Sequence, residues 1–190
     1  MPLLDVVRFV GELVEETGIQ YVVIGGFAVS TQVKPRATED VDLIVLIGPE
    51  RVDAFLDAIE KKGLSVSKRP RVAKALKAGS AAKIIWDSRF SFDLRIANFT
   101  LDDNAINAAE EVRLDKLGVS LRVATPEDLI VYKLARYEPV DHADIKAIVS
   151  QYRDLNWEYV REQAEILNEE WPGKGVHRNL KDVLRKYGPR

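Results

Sequence analysis

Two short stretches of the chain carry residue types able to do chemistry on a phosphate. Gly25-Gly26-Phe27-Ala28 closes one apolar run, and Arg36-Ala37-Thr38-Glu39-Asp40-Val41-Asp42 opens the next. Residues two apart in a strand point to the same side, so a strand beginning at Asp40 projects the Asp40 and Asp42 carboxylates into one volume. Two like charges so placed repel unless a cation lies between them or one stays protonated. Mg2+ suits the pair, because one or two carboxylates hold it while water and substrate phosphates complete its shell. Taken alone, an Asp-x-Asp pair is explained as well by solvated turn residues. The glycine pair shifts that balance. A strand that passes through Gly25-Gly26 into a helix leaves backbone amides at the positive end of a helix dipole, where phosphate binds. Glycine is needed there for close approach or positive φ.

The elements that must position these groups follow from periodicity. Leu3, Val6, Val7, Val10, Leu13 and Val14 recur at helical spacing and predict a helix to Thr17, stopped by Gly18. Residues 20–24 form a β-branched run that predicts a buried strand. Gly25-Gly26 then turns the chain into a short helix from Phe27 to about Val33, with Pro35 at or just beyond its end. Residues 41–47 predict a second strand and 49–62 an amphipathic helix closed by Gly63. The basic stretch 68–79 reads as neither. Residues 82–86 and 90–96 predict two antiparallel strands joined through Asp87-Ser88-Arg89, followed by a helix over 102–110 and a hairpin over 112–123 turning near Gly118. Thr125 as N-cap, with Pro126 at the first helical position, starts a helix to about Tyr137. Further helices are expected near 141–152, 157–170 and 177–187. The organisation is α+β: a mixed core over 1–123 and a helical C-terminal region over 124–190 packed on it.

Composition narrows the function classes. The chain has 190 residues, 46% hydrophobic and 31% charged, which suits a folded domain. A net charge of -2 excludes nucleic-acid binding by bulk electrostatics, so any such contact needs a local patch. The absence of cysteine excludes disulfides, thiolate metal sites and cysteine nucleophiles. No apolar run approaches the length of a membrane span, and Met1-Pro2-Leu3-Leu4-Asp5 lacks the pattern of a leader, so no membrane partner and a cytoplasmic location are expected.

Strand, Gly25-Gly26, helix, Arg36-x-Thr38 and Asp40-x-Asp42 in that order resemble the signature of the DNA polymerase β-type nucleotidyltransferase superfamily. The version with Gly-Gly and Arg-x-Thr-x-Asp-x-Asp resembles its branch of bacterial and archaeal proteins related to the AbiEii toxins. The resemblance implies that superfamily's fold, a mixed β-sheet flanked by helices with a helical C-terminal part, and a third carboxylate on a later strand. Asp93 is the candidate, since period two sets Ser91, Asp93 and Arg95 on one face of residues 91–96; Asp87, in the expected turn, is its rival. A second match runs from Pro126-Glu127-Asp128-Leu129 through Lys133-Leu134 to Asp141-His142-Ala143-Asp144. It implies that Lys133 reaches the triphosphate and that Asp141 positions this region or the acceptor. The chain departs from the family in Val140, where lysine is common, and in Glu138-Pro139, where a basic residue is common.

The implied reaction moves a nucleoside monophosphate from an NTP to a hydroxyl on RNA, a protein or a small molecule. Asp40 and Asp42 would hold the nucleotide's Mg2+, and Asp93 a second ion that activates the acceptor, with Mn2+ as a possible substitute. Gly25 and Gly26 would cradle the triphosphate, while Arg36, Thr38 or Lys133 neutralises the leaving pyrophosphate. Asp93 could also take the acceptor's proton. An AbiEii-like toxin would modify an RNA and answer to a cognate antitoxin. The alternatives are an antibiotic-type small-molecule nucleotidyltransferase and a non-catalytic, antitoxin-like binding module of the same fold.

Other residues invite a plainer reading. His142 and His177 lack a second ligand at metal spacing and suit surface or capping roles. Lys68, Arg69, Arg71, Lys74 and Lys77 suit a solvated face better than a nucleic-acid grip, and Trp86, Trp157 and Trp171 suit a core or interface.

Overall fold

The computed structural model describes residues 2–33, 37–86 and 90–189. Its first helix, α1 (Pro2–Thr17), buries Val6, Val7, Val10 and Leu13 completely, as their spacing demands. Gly18, at φ +60°, ends it by donating its N–H to the Val14 carbonyl at 3.0 Å. Strand β1 (Gln20–Ile24) runs directly into helix α2 (Gly25–Gln32). The glycine pair is therefore the first turn of α2, whose expected start at Phe27 moves back by two residues.

Strand β2 (Asp40–Leu46) is followed by a 3-10 turn over Pro49–Arg51 and helix α3 (Val52–Lys61). The basic stretch resolves as helix α4 (Arg69–Lys77). Its charges answer acids on α3: Arg69 pairs with Asp57 at 2.6 Å and with Glu60, and Lys77 pairs with Asp53 at 2.5 Å. Strands β3 (Ala82–Ile85) and β4 (Ser91–Ile96) pair antiparallel as expected.

Helix α5 (Thr100–Ala108) starts two residues before its expected position, because Asp102 is its third residue and reaches back to cap it. The Asp102 carboxylate accepts the N–H of Asn98 at 2.8 Å and of Phe99 at 3.1 Å. Glu110, expected at the end of that helix, instead opens strand β5 (Glu110–Leu114), which forms a hairpin with β6 (Val119–Val123). Helices α6 (Pro126–Arg136), α7 (Pro139–Gln151), α8 (Trp157–Glu170) and α9 (Val176–Tyr187) follow. The Thr125 hydroxyl caps α6 by accepting the Asp128 N–H at 3.2 Å. No described helix is long and apolar enough to cross a membrane.

The strands form one mixed sheet in the order β3-β4-β2-β1-β6-β5. β2 is antiparallel to β1 and parallel to β4, and β1 is parallel to β6. The central strands are nearly continuous apolar runs, with Val22, Val23, Val41 and Val45 fully buried, which marks a sheet covered on both faces. Phe92 of β4 meets Phe9 of α1 at 6.0 Å between ring centroids, so α1 covers one face. Arg95, on the Asp93 face of β4, reaches Asp102 of α5, so α5 covers part of the other. Helix α6 contacts α2, α7, α8 and α9 and joins the C-terminal helices to the end of the sheet that carries the carboxylates.

Candidate active site

Sheet register brings the three separate motifs together. Ile24, the last residue of β1, pairs with Asp42 of β2, and Asp42 pairs in turn with Asp93 of β4. The start of α2, the Asp-x-Asp pair and the third carboxylate thus lie on neighbouring strands. Gly25 holds a φ of +72°, and a Cβ built on it would fall 1.8 Å from Asp42 Oδ2. Glycine is required at that position twice over, for its backbone and for the space it cedes to the carboxylate. The Thr38 hydroxyl donates to Asp40 Oδ1 at 3.1 Å and so orients Asp40.

The three carboxylates act on one another electrostatically. Burial, then the charges of Asp40 and Asp93, push the Asp42 carboxyl up to about 6, against the weaker opposing pull of Arg136 and Lys133. Asp93 Oδ1 is screened from solvent and accepts no hydrogen bond. The Lys83 ammonium lies 3.2 Å from that oxygen, 3.7 Å from Asp40 Oδ2 and 3.2 Å from Ser91 Oγ. Among the described residues, no three acidic or histidine side chains are gathered tightly enough to hold an ion unaided. The donors nevertheless fit Mg2+. Asp40 and Asp42 supply the one or two carboxylates it takes, and Gly25 makes the room that the Asp42 carboxylate occupies.

A second wall comes from α6 and α7. Lys133 is buried and donates to Asp144 at 2.6 Å and to Asp141 at 3.3 Å. Arg136 forks onto Asp141 with two contacts of 2.8 Å, and Asp141 also accepts the Glu138 N–H at 3.0 Å. Burial opposes charge on Asp141, but the Arg136 fork, the Glu138 amide and Lys133 outweigh it and hold the carboxyl below its ordinary range. Arg136 itself is 58% exposed and borders the same cavity as Asp42.

The third wall is aromatic. Phe99 stacks on Trp171 at 5.1 Å between centroids and 18° between planes; Arg95 lies 5.4 Å over Phe99 and Lys174 lies 4.4 Å over Trp171. Glu170, the last residue of α8, accepts the Thr100 N–H at 3.0 Å and its hydroxyl at 2.5 Å, which ties this wall to α5. Together the three walls enclose a cavity of about 610 Å3 bordered by Gly25, Asp42, Asp93, Lys133, Arg136 and Trp171, among others.

Of the residues singled out from sequence, Gly25, Gly26, Thr38, Asp40, Asp42, Asp93, Lys133 and Asp141 all border this cavity. Arg36 and Asp87, the rival to Asp93, lie outside the described residues. Neither histidine borders it: His142 packs against Tyr137 at 3.9 Å between ring centroids, and His177 Nδ1 lies 2.6 Å from Glu165. Trp86 packs on Phe9, and Trp171, expected in a core or an interface, is 40% exposed at the cavity wall. Sequence reasoning also passed over Lys83, Arg136 and Phe99. Only Lys83 carried a usable signal, as the polar residue of an alternating strand next to that of Asp93.

Comparison with known proteins bears on the fold and the family. The crystal structure of the lincosamide antibiotic adenylyltransferase LnuA, bound to lincomycin, matches with a TM-score of 0.51 at 17% identity, over 77% of this chain and 96% of that one. A solution structure of the antibiotic-resistance factor ANT(2'')-Ia matches with a TM-score of 0.48 at 17% identity, over 97% of this chain and 92% of the other. A CCA-adding enzyme in complex with CTP gives 0.37 at 15% identity over 94% of this chain and 49% of the other. At such identities the likeness speaks to the fold, and of these three the LnuA match carries it. No curated protein sequence matches. The model of the family described as "Nucleotidyltransferase of unknown function (DUF6036)" matches residues 2–187. With nearly the whole chain matched, and Gly25, Asp42 and Asp93 brought together by the fold, the chain belongs to the DUF6036 nucleotidyltransferases.

Proposed function

We propose that this nucleotidyltransferase moves a nucleoside monophosphate from an NTP to a hydroxyl acceptor, with Mg2+, or Mn2+ in its place, held by Asp40 and Asp42. The observation that carries the reading is the packing of Gly25 against Asp42, with Asp42 in register with Asp93. A bound ion would neutralise phosphate charge and orient the α-phosphate for in-line displacement. The amides of Gly25 and Gly26 face the triphosphate at the start of α2. Arg136 is the exposed cation of the second wall and takes the leaving pyrophosphate. Lys133, neutralised by Asp141 and Asp144, holds that wall in place and adds its field. Asp93 accepts the acceptor proton as the new O–P bond forms and the bond to the β-phosphate bridging oxygen breaks.

In this reading residues 1–123 carry the glycine pair and the carboxylates, and 124–190 complete the cavity with Lys133, Arg136 and Trp171. The Phe99–Trp171 stack borders the cavity that holds Asp93, and the Lys174 ammonium lies over its Trp171 ring. That favours an acceptor with planar rings and phosphate, such as an RNA end, over a polycationic antibiotic. The Gly-Gly and Arg-x-Thr-x-Asp-x-Asp spacing shared with AbiEii-related toxins supports a cytoplasmic toxin-type role with a cognate antitoxin.

Incubation with Mg2+, each labelled NTP and either total RNA or a small-molecule extract tests the reading, beside Asp42→Asn. RNA labelled by the parent alone is the expected result. Equal labelling by parent and variant would overturn the site, and label only in the small-molecule extract would replace the acceptor.

A further inference from the structure

Lys83 lies beside Asp93, the carboxylate to which the family resemblance gives a second ion, and nothing in the reaction above uses it. Its position is set by the sheet. β3 pairs antiparallel with β4, Lys83 is the register partner of Asp93, and Asp93 is the register partner of Asp42. In β3 the alternation buries Ala82 and Ile84 and turns Lys83 to the face that carries the carboxylates. Directly opposite residues on one face lie close enough for their side chains to meet. The ammonium accordingly reaches Asp93 Oδ1 at 3.2 Å and Asp40 Oδ2 at 3.7 Å, with the Ser91 hydroxyl at 3.2 Å, and so spans two of the three acids.

We propose that Lys83 is a tethered cation that fills the Asp93 side of the carboxylate cluster, so that the nucleotide-free enzyme takes up one divalent ion, at Asp40 and Asp42, rather than two. The inference rests on the carboxylates being a metal site, as above. Charge supports it: the three negative charges of Asp40, Asp42 and Asp93 are matched by one divalent ion together with one ammonium. Chemistry supports it too. A lysine ammonium is a compact, strongly hydrated point charge with three donors, able to hold two carboxylates apart without the fixed geometry that Mg2+ requires. Its stem is half exposed, so the contact is made from the solvent edge and adds no buried unpaired charge of its own.

The test counts Mn2+ bound to the full-length, nucleotide-free protein by electron paramagnetic resonance, for the parent, Lys83→Arg and Lys83→Met. One ion per chain is expected for the parent and for Lys83→Arg, and a second, weaker site in Lys83→Met. In EDTA, Lys83→Met should melt below the parent, and saturating Mn2+ should close that gap. Two ions in the parent, or one ion in a folded Lys83→Met, would overturn the role of Lys83 and leave the metal site intact. No Mn2+ bound by the parent would overturn the metal site itself, and this inference with it.

Discussion

Arg95 and Asp102 meet in a two-point fork, Nη1 to Oδ2 at 2.5 Å and Nη2 to Oδ1 at 2.7 Å, with the carboxylate fully buried. Tyr132 of α6 donates its hydroxyl to the same carboxylate at 2.9 Å. One acid thereby ties β4, two residues past Asp93, to α5 and α6. Asp102→Ala leaves the Arg95 charge without its partner and should destabilise the fold by about 3–5 kcal/mol, as breaking a buried pair does. Urea denaturation measures this, and a loss below about 1 kcal/mol would show that the fork does not hold the wall.

The pH dependence turns on Asp42. Its carboxyl is held up at about 6 against an ordinary 3.8, by burial first and by Asp40 and Asp93 next. The folded state therefore binds this proton more tightly than the unfolded state. The favourable contribution is complete below about pH 4 and is lost as pH rises through 6, a difference on the order of 3 kcal/mol. In EDTA, Asp42→Asn should lack this loss and be more stable than the parent at pH 7.5, while its transfer rate falls by orders of magnitude. Paired denaturation curves at pH 4.5 and 7.5 check the sign. Because a metal ion competes with the same proton, transfer at limiting Mg2+ should also weaken below pH 6.

Lys133 and Arg136 should separate by phenotype. Lys133→Met leaves Asp141 and Asp144 short of a buried cation and should lower stability by about 3–5 kcal/mol. Arg136 is largely exposed, so Arg136→Ala should leave a folded protein with a higher KM for the NTP. Steady-state kinetics beside thermal melts distinguish the two. An Arg136→Ala enzyme with unchanged KM would return the phosphate role to Lys133.

Trp171→Ala should raise KM for an RNA acceptor without changing KM for the NTP. Base stacking on an aromatic ring is worth about 1–3 kcal/mol, so the increase should be about 5- to 150-fold. A rise in the NTP value instead would place the donor base, rather than the acceptor, against Phe99 and Trp171.

Local patterns made most of the elements legible. β1, α1 and α6 follow from a β-branched run, a helically spaced apolar series and the Thr125 cap. The helix at Arg69–Lys77 did not, because its few apolar residues, Val72, Ala73 and Leu76, are interrupted by basic ones whose partners lie on α3. The starts of α2 and α5 each lay two residues earlier than expected, since Gly25-Gly26 reads as a turn and Asp102 reads as a helix's first residue rather than its third. At the site, alternation along a strand set Asp40 and Asp42 on one face, and the resemblance to the nucleotidyltransferases pointed to Asp93 as the third acid. Lys83 and Trp171 were not, because their meaning depends on which strand or helix lies beside them. Register and packing decide that, and the chain reveals neither in a window of a few residues.

The clamp of Glu170 on Thr100 has a consequence for how acceptor preference can change. It anchors the end of α8, and residues 171–175 connect that anchor to α9, with Trp171 and Lys174 on the cavity wall. Substitutions in that connection alter what the far wall presents without touching the sheet that holds the acids. Under the proposed function, new specificity can therefore arise in five residues of loop while the carboxylates stay constant, the same division of labour that lets a tool keep its motor and exchange its head.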